Sequence, residues 1–242
     1  EAIEKNSFHP LSNDIVRGDV DAAWEKCDHV IEGQLQLGGQ EHFYFETQSA
    51  LAIPGEEHEL TIFASTQNPN KTQMKAASVL GIPANRVVAR TKRMGGGFGG
   101  KETRSLYVST AAALAAYKTR RPVRMVLDRD EDMMSSGMCA LTFLQLLIPE
   151  SYCVFFPGGR NPFLFKYKVG FTSEGKILAL DTQIYCNAGC TFDLSAAVSD
   201  RALFHVDNAY YLPNVRAKAY LCKTNLPTNT AYVINYNLIF EH

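Results

Sequence analysis

The decapeptide Arg93-Met94-Gly95-Gly96-Gly97-Phe98-Gly99-Gly100-Lys101-Glu102 places five glycines in the six positions 95–100. Such a backbone can take positive φ and approach another group with no Cβ in the way. Arg86-Val87-Val88-Ala89-Arg90 before it reads as a strand, and Thr103 to Tyr117 after it as a helix. Strand, glycine loop and helix start make an anion cradle, because the unpaired N–H groups of a first helical turn point into the loop. The expected ligand therefore carries phosphate or another negative group. Two nucleotide patterns lie close. Gly95, Gly97 and Gly100 meet the dinucleotide-binding spacing, with Asp128 after Val123-Arg124-Met125-Val126-Leu127 as its acidic partner. Gly95 to Lys101 nearly spells the nucleoside-triphosphate loop, but Glu102 stands where a Ser or Thr hydroxyl should hold magnesium.

The elements that must position this loop follow from pattern and punctuation. Asp19 to Lys26 is short and helical, with Asp19 or Asp21 as its cap. Val30 to Leu37 alternates like a strand and is broken by Gly38-Gly39. Glu59 to Ser65 is a further strand, and Lys71 to Leu80 a helix ended by Gly81 and followed by Pro83. The helix after the loop turns Leu106, Ala111, Leu114 and Ala115 inward. Phe163 to Phe171 and Lys176 to Tyr185 flank Glu174-Gly175 and form a hairpin. Glu1 to Asn13 is polar and extended. The alternation predicts an α/β domain, more broadly mixed α+β, with an antiparallel hairpin added.

The 242 residues, 46% of them apolar, suit one domain or two small ones with a real core. A formal net charge of −1 gives no argument for nucleic acid or an anionic membrane surface. No apolar segment at the start resembles a signal peptide, and a start at Glu1 rather than Met predicts a fragment of something longer. Cys27, Cys139, Cys153, Cys186, Cys190 and Cys222 form neither a C-x-x-C pair nor a zinc pattern with His. Asn187-Ala188-Gly189 between Cys186 and Cys190 suggests a loop, and reduced cytosolic thiols are expected. Residues 138–158 are an apolar tract whose one charge is Glu150. A membrane helix needs about 20 apolar residues, but Pro149 and Glu150 fall in the middle, so no membrane span is expected.

Four stretches, taken together, resemble the molybdenum-cofactor domain of the xanthine dehydrogenase/oxidase family. They are Gly38-Gly39-Gln40-Glu41-His42-Phe43-Tyr44-Phe45-Glu46, Arg93 through Arg104, Arg201-Ala202-Leu203-Phe204-His205, and Leu221-Cys222-Lys223-Thr224-Asn225-Leu226-Pro227. With the sequence between them they cover nearly all of residues 1–231. The resemblance implies a molybdenum–molybdopterin cofactor, whose dithiolene holds the metal and whose phosphate tail suits a glycine-rich backbone. It implies that the Gln40 amide approaches a molybdenum ligand and that Phe98 and Gly99 lie against the metal centre. Ala231, at the end of the match, is implied to be a cofactor-binding position.

Glu102 and Arg201 match the two polar residues that bind purine in this family. Hydroxylating a purine carbon pushes negative charge onto the ring and its carbonyl oxygen. A fixed guanidinium stabilises that charge, while a carboxyl group hydrogen-bonds the ring nitrogens and sets orientation. Taken singly, Gln40 is a polar strand end, Phe98 a core aromatic, and Glu102 and Arg201 surface ion-pair members; the matched motifs reverse those readings. Related aldehyde oxidases typically carry less polar or uncharged residues at the two purine positions, so the pair favours xanthine and hypoxanthine. The implied parent converts hypoxanthine to xanthine to urate and passes electrons to 2Fe-2S clusters and FAD in domains outside this chain. A homodimer in the cytoplasm, with the peroxisome as alternative, is also implied. The family's general-base glutamate comes from a later segment with no counterpart here, so the chain alone is expected to be inactive.

Two departures share one explanation. The family pattern Ser-Gly-Gly-Arg-x-Pro-Phe is split between Ser136-Gly137 and Gly159-Arg160-Asn161-Pro162-Phe163. Codons for Gly137-Met138-Cys139 can contain an intron donor, and those for Phe155-Phe156-Pro157-Gly158 a pyrimidine tract ending in an acceptor. Removing the bases between them merges Gly137 and Gly158 and restores the pattern, so residues 138–158 read as translated intron. After Ala231 the family continues Phe-Arg-Gly-Phe-Gly-Gly, whereas residues 232–242 here follow no family pattern and begin close to Val233, another GT codon. The expected organisation is residues 1–137 with 159–231 as a partial cofactor and substrate domain, an insertion at 138–158 and a tail at 232–242. Competing readings are an aldehyde oxidase, a non-catalytic nucleotide-binding module built on Gly95 to Gly100 with Asp128, and a misread gene product with no stable fold.

Overall fold

The structure is a computed structural model that describes residues 1–10, 12–40, 42–136 and 159–230. The insertion at 138–158, Ala231 and the tail lie outside the described residues. The chain divides into two compact units, Glu1–Gln40 with Gly158–His242, and Glu41–Pro157.

The first unit is built on a five-stranded mixed sheet. Its strands are β1 (Asp14–Arg17), β2 (His29–Leu37), β7 (Phe163–Phe171), β8 (Ile177–Gly189) and β9 (Asn214–Lys223), in the order β1-β9-β8-β7-β2. The expected hairpin is present. β7 and β8 pair antiparallel around a turn in which Gly175 takes φ +83, a conformation that glycine adopts without a Cβ penalty. β8 and β9 run parallel, and parallel neighbours need a crossover, supplied by the helix α5 (Ser195–Phe204). Val198, Ala202 and Leu203 of α5 pack with Phe163, Phe165, Ile184, Val215 and Leu221 into one core. The short helix α1 (Val20–Trp24) is capped by Asp19, whose side chain accepts from the Ala22 N–H, as expected.

Two local expectations fail in this unit. Residues 2–6 form turns closed by the Lys5 N–H to the Glu1 carbonyl rather than an extended arm. Asn187 to Gly189 continue β8 through a bulge instead of forming a loop, because Cys186 and Asn187 still pair with β9. Cys27, Cys186 and Cys222 are free thiols, and burial pushes Cys222 up to about 11 and Cys186 higher still.

The second unit is a four-stranded sheet with helices against it. Its strands are β3 (Ser49–Pro54), β4 (Leu60–Ala64), β5 (Val87–Arg90) and β6 (Val123–Val126), ordered β5-β4-β3-β6. β4 and β5 are parallel and joined by α2 (Pro69–Leu80), which Asn68 caps and Gly81 terminates at φ +67. α3 (Ser105–Thr119) follows the glycine loop, and α4 (Arg129–Ser136) follows β6. The inward face of α3 differs from the expected one. Val108, Ala112, Ala113 and Ala116 are buried, whereas Leu114 is 37% exposed and Ala111 is exposed. All six residues from 111 to 116 are alanine or leucine, so its small side chains leave periodicity a weak guide to the buried stripe. The α/β class with an antiparallel addition is what the structure has. Among the described residues, no helix is long and apolar enough to cross a membrane.

Candidate functional site

Strand directions gather the chemistry at one end of the second sheet. β4 and β5 run parallel, β3 runs antiparallel to β4, and β6 antiparallel to β3. The segments after β4, β5 and β6 and the one before β3 therefore meet at the same end. Carboxyl ends of parallel strands are where open sheets commonly hold ligands.

The glycine loop there is held in a defined, uncommon shape. Gly96, Phe98 and Gly99 have φ of +91, +48 and +90. Positive φ is unfavourable for phenylalanine, so surrounding bonds must hold it. Gln67 does much of this: its Oε1 accepts from the N–H groups of Gly99 at 2.9 Å and Lys101 at 3.1 Å. Its own N–H donates to the Lys101 carbonyl at 2.9 Å. On the other side, Gln48 Nε2 donates to the Gly100 carbonyl at 2.9 Å and to the Tyr44 hydroxyl at 3.2 Å. Tyr44 Oη donates to buried Asp132 at 2.9 Å. Burial pushes the Asp132 carboxyl up, opposed by its bonds from Tyr44 and the Gln48 N–H.

These bonds take up part of the expected phosphate cradle. The N–H groups of Gly95, Gly99, Gly100 and Lys101 already donate to protein oxygens. Lys101 is not a phosphate-reaching lysine. Its side chain is fully buried, 2.9 Å from Glu46 Oε2 and 2.7 Å from Ser65 Oγ. Burial lowers the Lys101 pKa against the opposing pull of Glu46. Burial alone would raise Glu46, but bonds from Ser65, Lys101 and the Gly95 N–H outweigh it and hold the carboxyl low. The dinucleotide pattern fails on topology, since β4 and β3 separate β5 from β6 and Asp128 does not end a strand adjacent to the loop's own.

Packing against the loop is equally tight. His42 is 3% exposed, stacks on Tyr44 with ring centroids 5.5 Å apart, and finds no hydrogen-bond partner for either ring nitrogen among the described residues. A Cβ on Gly100 would fall on the His42 ring and within 2.7 Å of Tyr44. Desolvation, reinforced by Arg104, lowers the His42 pKa to about 4 and keeps the ring neutral.

The expected site residues are distributed as follows. Phe98 and Gly99 form the loop's apex, with the Phe98 side chain 47% exposed. Glu102, half-buried just past the loop, has no hydrogen-bond or ion-pair partner among the described residues. Arg201 lies on α5 in the first unit, exposed, and its guanidinium is likewise unpaired among the described residues. Gln40 follows β2 in the first unit and is exposed, its carbonyl accepting from the Arg160 N–H at 2.7 Å. Ala231 lies outside the described residues. Sequence reasoning passed over Gln67, the glutamine that does grip the loop. Its place between the end of β4 and the α2 cap Asn68 was the available signal.

Comparison with known proteins gives these features a context. Residues 3–144 and 151–233 match the family model described as the molybdopterin cofactor-binding domain. The chain is 50% identical over 233 residues to the xanthine dehydrogenase/oxidase of Felis catus and 49% identical over 232 residues to the xanthine dehydrogenase of Dictyostelium discoideum. Each alignment covers 96% of this chain and 16% of the relative, so the chain spans about a sixth of the relatives' length. Among solved structures, aldehyde oxidoreductase from Desulfovibrio gigas matches with TM-score 0.71 and 22% identity over 92% of this chain and 22% of the other. Quinoline 2-oxidoreductase from Pseudomonas putida 86 matches with TM-score 0.69 and 20% identity over 92% of this chain and 26% of the other. At those identities the likeness is one of fold.

Proposed function

The chain belongs to the molybdopterin cofactor-binding domain family, and from that premise we propose that it forms part of the cofactor and purine site of a xanthine dehydrogenase/oxidase. One contrast carries the reading. Lys101 is spent entirely inside the fold, while the next residue, Glu102, has no side-chain partner among the described residues. A charge maintained without a structural partner is available to a substrate.

The residues present fit the cofactor. Gln67 Oε1 is consumed by the loop, but its Nε2 donates to nothing among the described residues and the side chain is exposed. A held amide with a spare donor beside Phe98 suits an oxygen ligand of a metal group. The role expected of Gln40 is better filled by Gln67 on this geometry. When bound, the cofactor supplies the redox chemistry that hydroxylates a purine carbon. Phe98 would offer it an apolar surface, Glu102 would accept hydrogen bonds from ring N–H groups, and Arg201 would offer a guanidinium to charge developing on the purine oxygen. FAD and 2Fe-2S clusters, a homodimeric assembly and a cytoplasmic location belong to the same proposal for the longer protein.

The test uses the full-length protein with xanthine and an aromatic aldehyde as alternative substrates. Loss of a charged hydrogen bond should lower kcat/KM for xanthine about ten- to a hundredfold in Glu102→Ala and leave the aldehyde rate largely intact. An equal loss on both substrates, or preference for the aldehyde in the unmodified enzyme, would refute the purine assignment. A full-length protein without molybdenum would refute the cofactor assignment.

A further inference from the structure

A single carboxylate oxygen ties the glycine loop at both ends. Glu46 Oε2 accepts from the Gly95 N–H at 2.8 Å, where the loop begins, and from Lys101 Nζ at 2.9 Å, where it ends. Ser65 Oγ closes a triangle, donating to the same oxygen at 2.5 Å and accepting from Lys101 Nζ at 2.7 Å. The Glu46 N–H also donates to the Gly95 carbonyl at 3.3 Å, so residues 46 and 95 exchange a pair of bonds. Contact is close enough that a Cβ on Gly95 would lie 2.5 Å from the Glu46 Cβ, which explains glycine at the loop's entry. The Lys101 ammonium stands 4.6 Å from the centre of the Tyr44 ring. An ion pair with its lysine fully buried and its carboxylate partly exposed adds little net stability, because desolvation of the lysine offsets the attraction. Its effect here is to select one loop conformation, the one that carries Phe98 at φ +48.

We propose that Glu46 is a positioning residue, a latch that acts through Gly95 and Lys101 to hold Phe98 and Gly99 in their cofactor-facing shape. The inference rests on the reading that these two residues face the cofactor.

Amide hydrogen exchange and the HN–Hα coupling at Phe98, measured by NMR on the full chain, test the latch without any cofactor. The variant is Glu46→Ala with Lys101→Met, which removes both charges together and orphans neither. Exchange at Gly95 should accelerate about tenfold or more, with core amides such as Ile62 changing less than about twofold, as for a local opening. The Phe98 coupling should move away from its positive-φ value. Glu46→Gln with Lys101→Gln, which keeps an acceptor at 46 and donors at 101, should restore both readouts. If the first variant leaves Gly95 exchange and the Phe98 coupling unchanged, or if core amides accelerate equally, the latch is overturned. A loosened loop with undiminished molybdenum content in the full-length protein would instead sink the cofactor-facing reading, and with it the role assigned to the latch.

Discussion

At the scale of single residues, His42 has the clearest pH signature. Its ring is buried without hydrogen-bond partners, and its pKa falls from 6.5 to about 4 in the fold. A folded pKa below the unfolded one means that the unfolded chain binds the extra proton first. The stability due to the neutral ring is complete above pH 6.5 and is lost as pH falls from there toward 4. The loss should reach about 3 kcal/mol, since each pKa unit corresponds to roughly 1.4 kcal/mol. The measurement is the difference in urea-unfolding free energy between the unmodified chain and His42→Phe, taken from pH 7 to pH 4. Asp132, raised by burial, works in the opposite sense, but it is common to both proteins and cancels. A difference that stays flat across the window would contradict the assignment. The residue scale also shows where motif reading succeeds and fails. Glu102 and Lys101 are adjacent in one motif, yet one is free and the other buried against a carboxylate from a distant segment. Gln67 lay outside every quoted motif, and its bonds to Gly99 and Lys101 identify its role.

At the scale of elements, α3 separates local pattern from packing. Its existence was legible from composition, and its buried side was not. In an alanine-rich helix the contrast between faces is small, and the surface of β3 and β4 selects which alanines point inward. The two assignments have opposite consequences. Leu114→Ala should cost less than about 0.5 kcal/mol, as for an exposed position, whereas a buried leucine would cost about 2–5 kcal/mol. Ala113→Leu should cost about 1–3 kcal/mol by overpacking the core. Denaturant unfolding of both variants decides between the faces. The β8-α5-β9 crossover was not legible either, because a parallel pairing joins residues separated by a whole helix and has no local signature.

At the scale of the whole molecule, two units with separate sheets carry the residues matched to the site. Gln67, Phe98, Gly99 and Glu102 belong to one, and Arg201 to the other. The apolar tract at 138–158 has its own consequence at this scale. Its composition, apolar with one charge, is an aggregation liability wherever such a segment meets solvent, and loop-closure entropy alone would tolerate its length. Deleting residues 138–158 should raise the soluble fraction of the expressed chain without lowering its unfolding free energy. An equal or smaller soluble yield would show that the tract covers a surface the fold needs.

The sequence by itself determined the features that depend on near neighbours. The Asp19 cap, the Gly81 stop and the turn at Gly175 involve groups within a few residues of one another, so their chemistry is readable in a short window. It also carried the matched motifs that point to a molybdenum cofactor. The tertiary structure alone decided which groups hold the glycine loop. Lys101 could have met a phosphate, but Glu46, 55 residues away, takes its charge, and Gln67, 32 residues from Gly99, takes the Gly99 and Lys101 amides. Which partner reaches a buried group is settled by strand order, and strand order is a property of the folded sheet.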